Sequence, residues 1–265
     1  MPQTGRLRYL EALPSGSGRP LGTLVLVHAF PLHAGLWEPQ LALSQHGWRV
    51  IAPHLRGLGP DPGEPATSMD DFAADVIDLL DSLHVEDAVI GGLSVGGYVV
   101  FALLRHAPAY ARGLILADTR PQADAPAALD GRKKMLALVS SEGPDAIAAE
   151  MMPKLLGETT RRDRPDVVAR VNAMIRENTS TGIAGAITAM MNRPDSTPLL
   201  STIRCPTLVV VGSEDTLTPP AVSEEMARAI PGAQLSVIEG AGHLPNLERP
   251  DVFTETVATF LARRL

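Results

Sequence analysis

The chain has 265 residues, 45% of them apolar and 20% charged, with a net charge of −7 and one cysteine, Cys205. That length holds one large α/β domain with a well-buried core, or two small domains. The acidic balance argues against nucleic acid and anionic membranes as partners, and a lone cysteine excludes an intramolecular disulfide.

The opening MPQTGRLRYLEALPSG has no apolar signal core, and no run reaches the length of a membrane span, so a cytoplasmic setting is expected. Leu24-Val25-Leu26-Val27 is the first predicted buried strand, and Arg49-Val50-Ile51-Ala52 the second. A helix is predicted from about Ser68 to Leu83. Ser68 and Asp71 form a capping-box pair there, and Phe72, Val76, Leu79, Leu80 and Leu83 recur at helical spacing. Val89-Ile90 continues the strand series. A helix over 95–106 follows, ended by Pro108, and then the strand Leu114-Ile115-Leu116-Ala117. Later come Thr207–Val211, a helix over Pro220–Ala229, Leu235–Ile238 and a helix over Asp251–Arg264. Such alternation predicts an α/β fold with a mostly parallel central sheet and helices on both faces.

The alternation breaks over residues 121–200. Helical pieces replace strands there, with breaks at Pro126, Gly143-Pro144, Pro153, Pro165 and Pro194. The expected organisation is a core of residues 1–120 and 201–265 with a helical lid, 121–200, inserted between two strands. No internal repeat or low-complexity tract occurs.

Gly92-Leu93-Ser94-Val95-Gly96 fits G-x-S-x-G between a predicted strand and a predicted helix. A tight turn there projects the serine hydroxyl above the sheet edge, beside helix N-terminal N–H groups that can hold an oxyanion. A glycine-rich turn whose serine merely caps the helix gives the same five residues, so the partners matter. A serine hydroxyl needs a histidine to take its proton and a carboxylate to orient that histidine. Both belong past the C-terminal ends of later strands. Asp215 follows the strand ending at Val211, and His243 lies in the glycine-rich loop after Ile238. Glu214 and Asp118 are rival carboxylates.

The motifs HAFPL (28–32), GLSVGG (92–97), GSEDTLTPP (212–220) and GAGHLPNLERP (240–250) together resemble the α/β-hydrolase fold superfamily, over nearly the whole chain. The resemblance implies Ser94 as nucleophile, His243 as general base and then acid, and Asp215 as its orienting carboxylate. It also implies an oxyanion hole made by the N–H groups of Phe30 and Val95, since Pro31 has none to give. Two departures stand out: Ala29 where many relatives have glycine, and His54 where many have aspartate. His28 is expected to be structural, and His33, His46, His84 and His106 to be solvated.

A serine nucleophile argues against haloalkane dehalogenases and epoxide hydrolases, which use aspartate. No metal-ligand spacing or phosphate loop is seen, so no metal and no cofactor are expected. The segment 121–200 carries Met135, Met151, Met152, Met174, Met190 and Met191. An apolar cleft between lid and core is expected, with Trp37, Met135, Met152 and Met190 as candidate pocket walls. Ordinary core packing would use the same methionines. The expected function is a serine esterase of the small carboxylesterase and enol-lactonase branch, acting on small-to-medium apolar esters through an acyl-enzyme. A lactonase, a cofactor-free perhydrolase or a carbon–carbon hydrolase would use the same machinery, and a ligand-binding receptor could use the same scaffold. The expected partner is a small ester or lactone.

Overall fold

The computed structural model describes residues 2–4, 7–15, 18–60 and 63–265. In chain order, the first strands are β1 (Gln3–Thr4), β2 (Leu7–Ala12), β3 (Gly22–Val27) and β4 (Trp48–Pro53). A 3-10 segment, Ala34–His46, joins β3 to β4. Then come α1 (Met69–Ser82), β5 (Ala88–Leu93), α2 (Val95–His106) and β6 (Ala111–Ala117). Six helices follow: α3 (Pro126–Glu142), α4 (Pro144–Leu155), α5 (Glu158–Asp163), α6 (Pro165–Arg176), α7 (Ser180–Met191) and α8 (Thr197–Leu200). The chain closes with β7 (Thr207–Gly212), α9 (Pro220–Ala229), β8 (Gln234–Ile238), α10 (Pro245–Glu248) and α11 (Pro250–Arg264).

The strands form one eight-stranded sheet in the order β1-β2-β4-β3-β5-β6-β7-β8. β1 and β2 pair antiparallel at one edge, and β4 through β8 are parallel. The central strands read as unbroken apolar runs because both faces are covered: every residue of β5 and of β7 is buried. α1 forms where its amphipathic spacing predicts. Ser68 Oγ accepts from the Asp71 N–H at 3.0 Å, and Asp71 accepts from the Ser68 N–H at 3.1 Å, completing the capping box.

Two elements escape the periodicity. β2 (Leu7–Ala12) mixes charged and apolar residues without a strict period, next to the edge strand β1. The 3-10 segment contains Gly35 and Pro39, which read as loop. Pro153, expected as a break, lies instead in the last turn of α4. Little hydrogen bonding remains to be lost so close to a helix end.

The order of strands positions the site. β3 connects leftward to β4, whereas β5 connects rightward to β6. Right-handed crossovers in opposite directions place their connections on opposite faces of the sheet. A crevice therefore opens beyond the C-terminal ends of β3 and β5. The helices α3–α8 leave the sheet after β6 and return at β7.

Candidate active site

Ser94 alone makes the turn between β5 and α2, with φ 55° and ψ −112°. A non-glycine residue at positive φ carries roughly 1–3 kcal/mol of strain and needs support from its surroundings. The Ser94 N–H donates to the Ala117 carbonyl on β6 at 2.9 Å, and Thr119 Oγ1 donates to the Ser94 carbonyl at 2.7 Å. The glycines of the motif permit close approach. A Cβ on Gly96 would stand 2.1 Å from the Val27 carbonyl oxygen, and one on Gly92 would stand 2.3 Å from the Gly96 backbone.

His243 sits in the loop after β8, nearly fully buried. Its Nε2 lies 2.8 Å from Ser94 Oγ, and its Nδ1 lies 2.8 Å from Asp215 Oδ2. An ionised carboxylate can only accept, so Nδ1 carries the proton and the neutral ring leaves Nε2 free to accept from the serine hydroxyl. The Asp215 carboxylate also accepts from the Leu217 N–H (2.8 Å), the Thr218 N–H (3.1 Å) and Thr218 Oγ1 (2.5 Å). Burial works to raise its pKa, but the facing His243 and these donors outweigh it and hold the carboxyl below the usual range.

The rival carboxylates do other things. Glu214 turns away to the Thr159 N–H at 2.9 Å and to the Thr159 hydroxyl. Asp118, just past β6, is fully buried, and its Oδ1 accepts from the Gly212 N–H at 2.9 Å. Asp118, Asp215 and His243 each bring one atom of ligand type within 4.8 Å of the others. Both ring nitrogens of His243 are engaged, one by Ser94 and one by Asp215, which leaves neither free for a cation.

Two supporting residues lie within motifs noted above, but no role for them was legible there. Thr218 is the threonine of the D-x-x-T-P-P run, and only the fold shows its hydroxyl on Asp215. Glu248 is fully buried in α10. It accepts from the N–H groups of Gly242 (2.9 Å) and Leu244 (3.0 Å), on either side of His243, and from Gly157 (2.9 Å) in the inserted helices.

Val95 is the first residue of α2, so its N–H has no acceptor within the helix. Phe30 precedes Pro31 in the loop after β3, joined to it by a cis peptide bond. His28 braces that loop: its Nδ1 lies 3.0 Å from the Ala29 carbonyl, and its Nε2 accepts from the Leu55 N–H at 3.0 Å. Burial pushes the His28 imidazole down to about 3, so it is neutral, as a structural histidine should be. Ser94, His243, Phe30 and Val95 line one cavity of about 740 Å³, whose other walls include Tyr98, Met135, Met151 and Met190.

Some expected placements are corrected. Trp37 does not line this cavity: it is fully buried, 5.9 Å ring to ring from Phe253, because the 3-10 segment turns it toward α11. On α4 it is Met151 that faces the cavity and not Met152, since neighbouring residues on a helix point about 100° apart. His46, His84 and His106 are exposed, but His33 is buried and stacks on His54 with ring centroids 5.4 Å apart. Its Nε2 lies 2.9 Å from Glu177 Oε2. His54 is buried too, and that burial lowers it to about 4.

Known proteins resemble this chain over most of its length. A thermophilic esterase from Thermogutta terrifontis, solved with malate bound, superposes with a TM-score of 0.90 at 39% identity, covering 97% of this chain and 93% of that one. The enol-lactonase of Burkholderia xenovorans superposes with a TM-score of 0.88 at 27% identity, covering 97% and 96%. The 3-oxoadipate enol-lactonase 2 of Acinetobacter baylyi is 28% identical over 242 residues, 91% of this chain and 88% of that protein. The model of the alpha/beta hydrolase fold family matches residues 22–250. With a strained serine turn after β5 and a mostly parallel sheet beneath it, the chain belongs to the alpha/beta hydrolase fold family.

Proposed function

We propose that this protein hydrolyses small-to-medium, fairly apolar carboxylic esters through an acyl-enzyme, with Ser94, His243 and Asp215 as its catalytic triad. The observation that carries this is the unbroken chain from Ser94 Oγ through His243 to Asp215, with both links at 2.8 Å. Ser94 Oγ attacks the ester carbonyl as its proton passes to His243 Nε2, and Asp215 stabilises the imidazolium. The N–H groups of Phe30 and Val95 hold the carbonyl oxygen as it becomes an oxyanion. The tetrahedral intermediate collapses, the C–O bond breaks and the alcohol departs with the proton from His243. Water, deprotonated by His243, then attacks the acyl carbon, and the acid is released with Ser94 restored. No step calls for a metal or cofactor. In this scheme residues 121–200 act as a lid on a core of 1–120 and 201–265. Apolar walls such as Met135, Leu138, Met151 and Met190 would hold the acyl or alcohol group.

A second reading, a lactone substrate, is favoured by the enol-lactonases among the similar proteins. The chemistry is identical, except that the leaving alcohol stays tethered to the acyl chain.

The test is a fluorophosphonate probe read by intact mass, with wild type beside Ser94→Ala, and turnover of short and medium p-nitrophenyl esters and a lactone panel. One adduct and multiple turnover in the wild type, both lost in the variant, are expected. An unlabelled, inert wild type would favour a ligand-binding protein on a hydrolase scaffold.

A further inference from the structure

The carboxyl behind the triad has no role in the mechanism above. Asp118 lies at the C-terminal end of β6, on the strand next to the one that ends at Ser94. Its side chain is fully buried. Its backbone is in the left-handed region with φ 44°, one of three non-glycine residues at positive φ among those described, another being Ser94. Aspartate tolerates that conformation better than most residues, yet it remains a strained setting that the surroundings must hold. The Asp118 N–H donates to the Val210 carbonyl, and Oδ1 takes the Gly212 N–H, so this residue ties β6 to β7, the strand that leads into the Asp215 loop.

Oδ2 is the anomaly. It is buried and has no donor among the described residues. The nearest ionisable group facing the Asp118 carboxyl is the Asp215 carboxylate, from the loop after β7. Glu248 from α10 also acts on Asp118, and one ring nitrogen of His243, from the loop after β8, lies within 4.8 Å of the two carboxylates. No lysine or arginine among the described residues forms an ion pair with Asp118. Two carboxylates facing each other in a dry interior cannot both be ionised, and a single shared proton removes the conflict. Asp215 cannot be the protonated member, because its oxygens accept from four donors, including His243 Nδ1–H.

We infer that Asp118 is a positioning residue for the triad: it keeps its carboxyl proton at neutral pH and donates it from Oδ2 to the Asp215 carboxylate. Burial and the neighbouring Asp215 charge both push Asp118 well above the usual carboxylate range, in keeping with this. The arrangement leaves one negative charge, on the carboxyl that touches His243. The extra donor fixes the orientation of Asp215 and spreads its charge. The inference rests on the triad proposed above, but Ser94→Ala labelling tests that triad without involving Asp118.

The experiment compares wild type, Asp118→Asn and Asp118→Ala, with thermal melts alongside. Infrared spectra at pH 7 are expected to show a protonated-carboxyl C=O band that persists in Ser94→Ala and disappears in Asp118→Asn. That readout needs no turnover and survives a failure of the triad assignment. The pH profile of kcat/KM supplies the second readout. Asparagine replaces one neutral donor with another, so the acid limb should stay within about 0.3 pH unit of wild type. Alanine removes the donor and leaves Asp215 more basic, so the limb should rise, with kcat about tenfold lower and largely rescued by asparagine. Absence of the band, or an asparagine limb lower by about one unit or more, would mean that Asp118 is an ionised carboxylate and overturn the inference. Should the alanine variant fail to fold, the asparagine variant alone still decides.

Discussion

Asp215→Asn isolates the orienting carboxylate with almost no change of shape. In the wild type, Oδ1 accepts two backbone N–H groups at 2.8 and 3.1 Å, and Oδ2 faces Thr218 Oγ1 at 2.5 Å and His243 Nδ1 at 2.8 Å. An asparagine therefore keeps its oxygen on the backbone donors and turns its NH₂ toward the histidine. Nδ1 must then accept, which moves the ring proton to Nε2, against Ser94. The base is lost while every heavy atom stays in place. A wrong tautomer of this kind costs about ten-thousandfold in kcat, equivalent to about 5 kcal/mol of transition-state stabilisation. The assay is steady-state hydrolysis of a short p-nitrophenyl ester, with KM and the melting temperature recorded in parallel. KM should stay within about threefold of wild type, because the pocket is untouched. A loss of kcat below about tenfold would refute the assignment and pass the orienting role to another carboxylate.

Three further outcomes follow from contacts already described. His28 titrates near 3 when folded against 6.5 when free, so the unfolded chain binds the extra proton between those values. Its contribution to stability is complete above pH 6.5 and is lost as pH falls toward 3, about 2 kcal/mol by pH 5. His28→Gln, whose amide oxygen can still accept from Leu55, should lose that much less stability between pH 7 and 5 in denaturant melts; an unchanged pH dependence would refute the placement. Gly96→Ala puts a Cβ 2.1 Å from the Val27 carbonyl oxygen, so the serine turn must shift. Ester hydrolysis should fall at least about a hundredfold and stability by about 2 kcal/mol or more, and wild-type kcat would contradict the steric account. Thr218→Val removes one hydroxyl donor from Asp215 and should lower kcat about tenfold with little change in KM, read from the same ester assay.

The parallel strands were legible because burial on both faces demands continuous apolar runs, as in Thr207–Val211. The serine turn was legible because close backbone approach at Gly92 and Gly96 leaves a fixed glycine spacing. Side-chain direction was not. Trp37 faces away from the cavity and Met151 stands where Met152 was expected, since composition and position along a segment do not reveal which side of it meets the cleft. The role of Glu248 was invisible for another reason. A buried glutamate that serves three backbone N–H groups looks, in sequence, like any surface acid near a helix start. His33 was expected to be solvated because its cover comes from His54 and Glu177, both remote in the chain.

Several bonds fasten the inserted helices to the core, and two of these fastenings bear on how a substrate would get in. At one, the Gly157 N–H meets Glu248, the residue that also holds the histidine loop. At the other, the Asn178 side-chain amide donates to the Pro31 carbonyl at 2.8 Å and accepts from the Gly59 N–H at 2.6 Å. Peeling back the entire helical layer would break both fastenings and disturb the histidine and the Phe30–Pro31 loop together. Rocking α3 alone breaks neither, and α3 contributes Met135 and Leu138 to the cavity wall. If residues 121–200 act as the proposed lid, an opening made by α3 would admit and release substrate while the bonds on Glu248 and the Phe30–Pro31 loop stay in place.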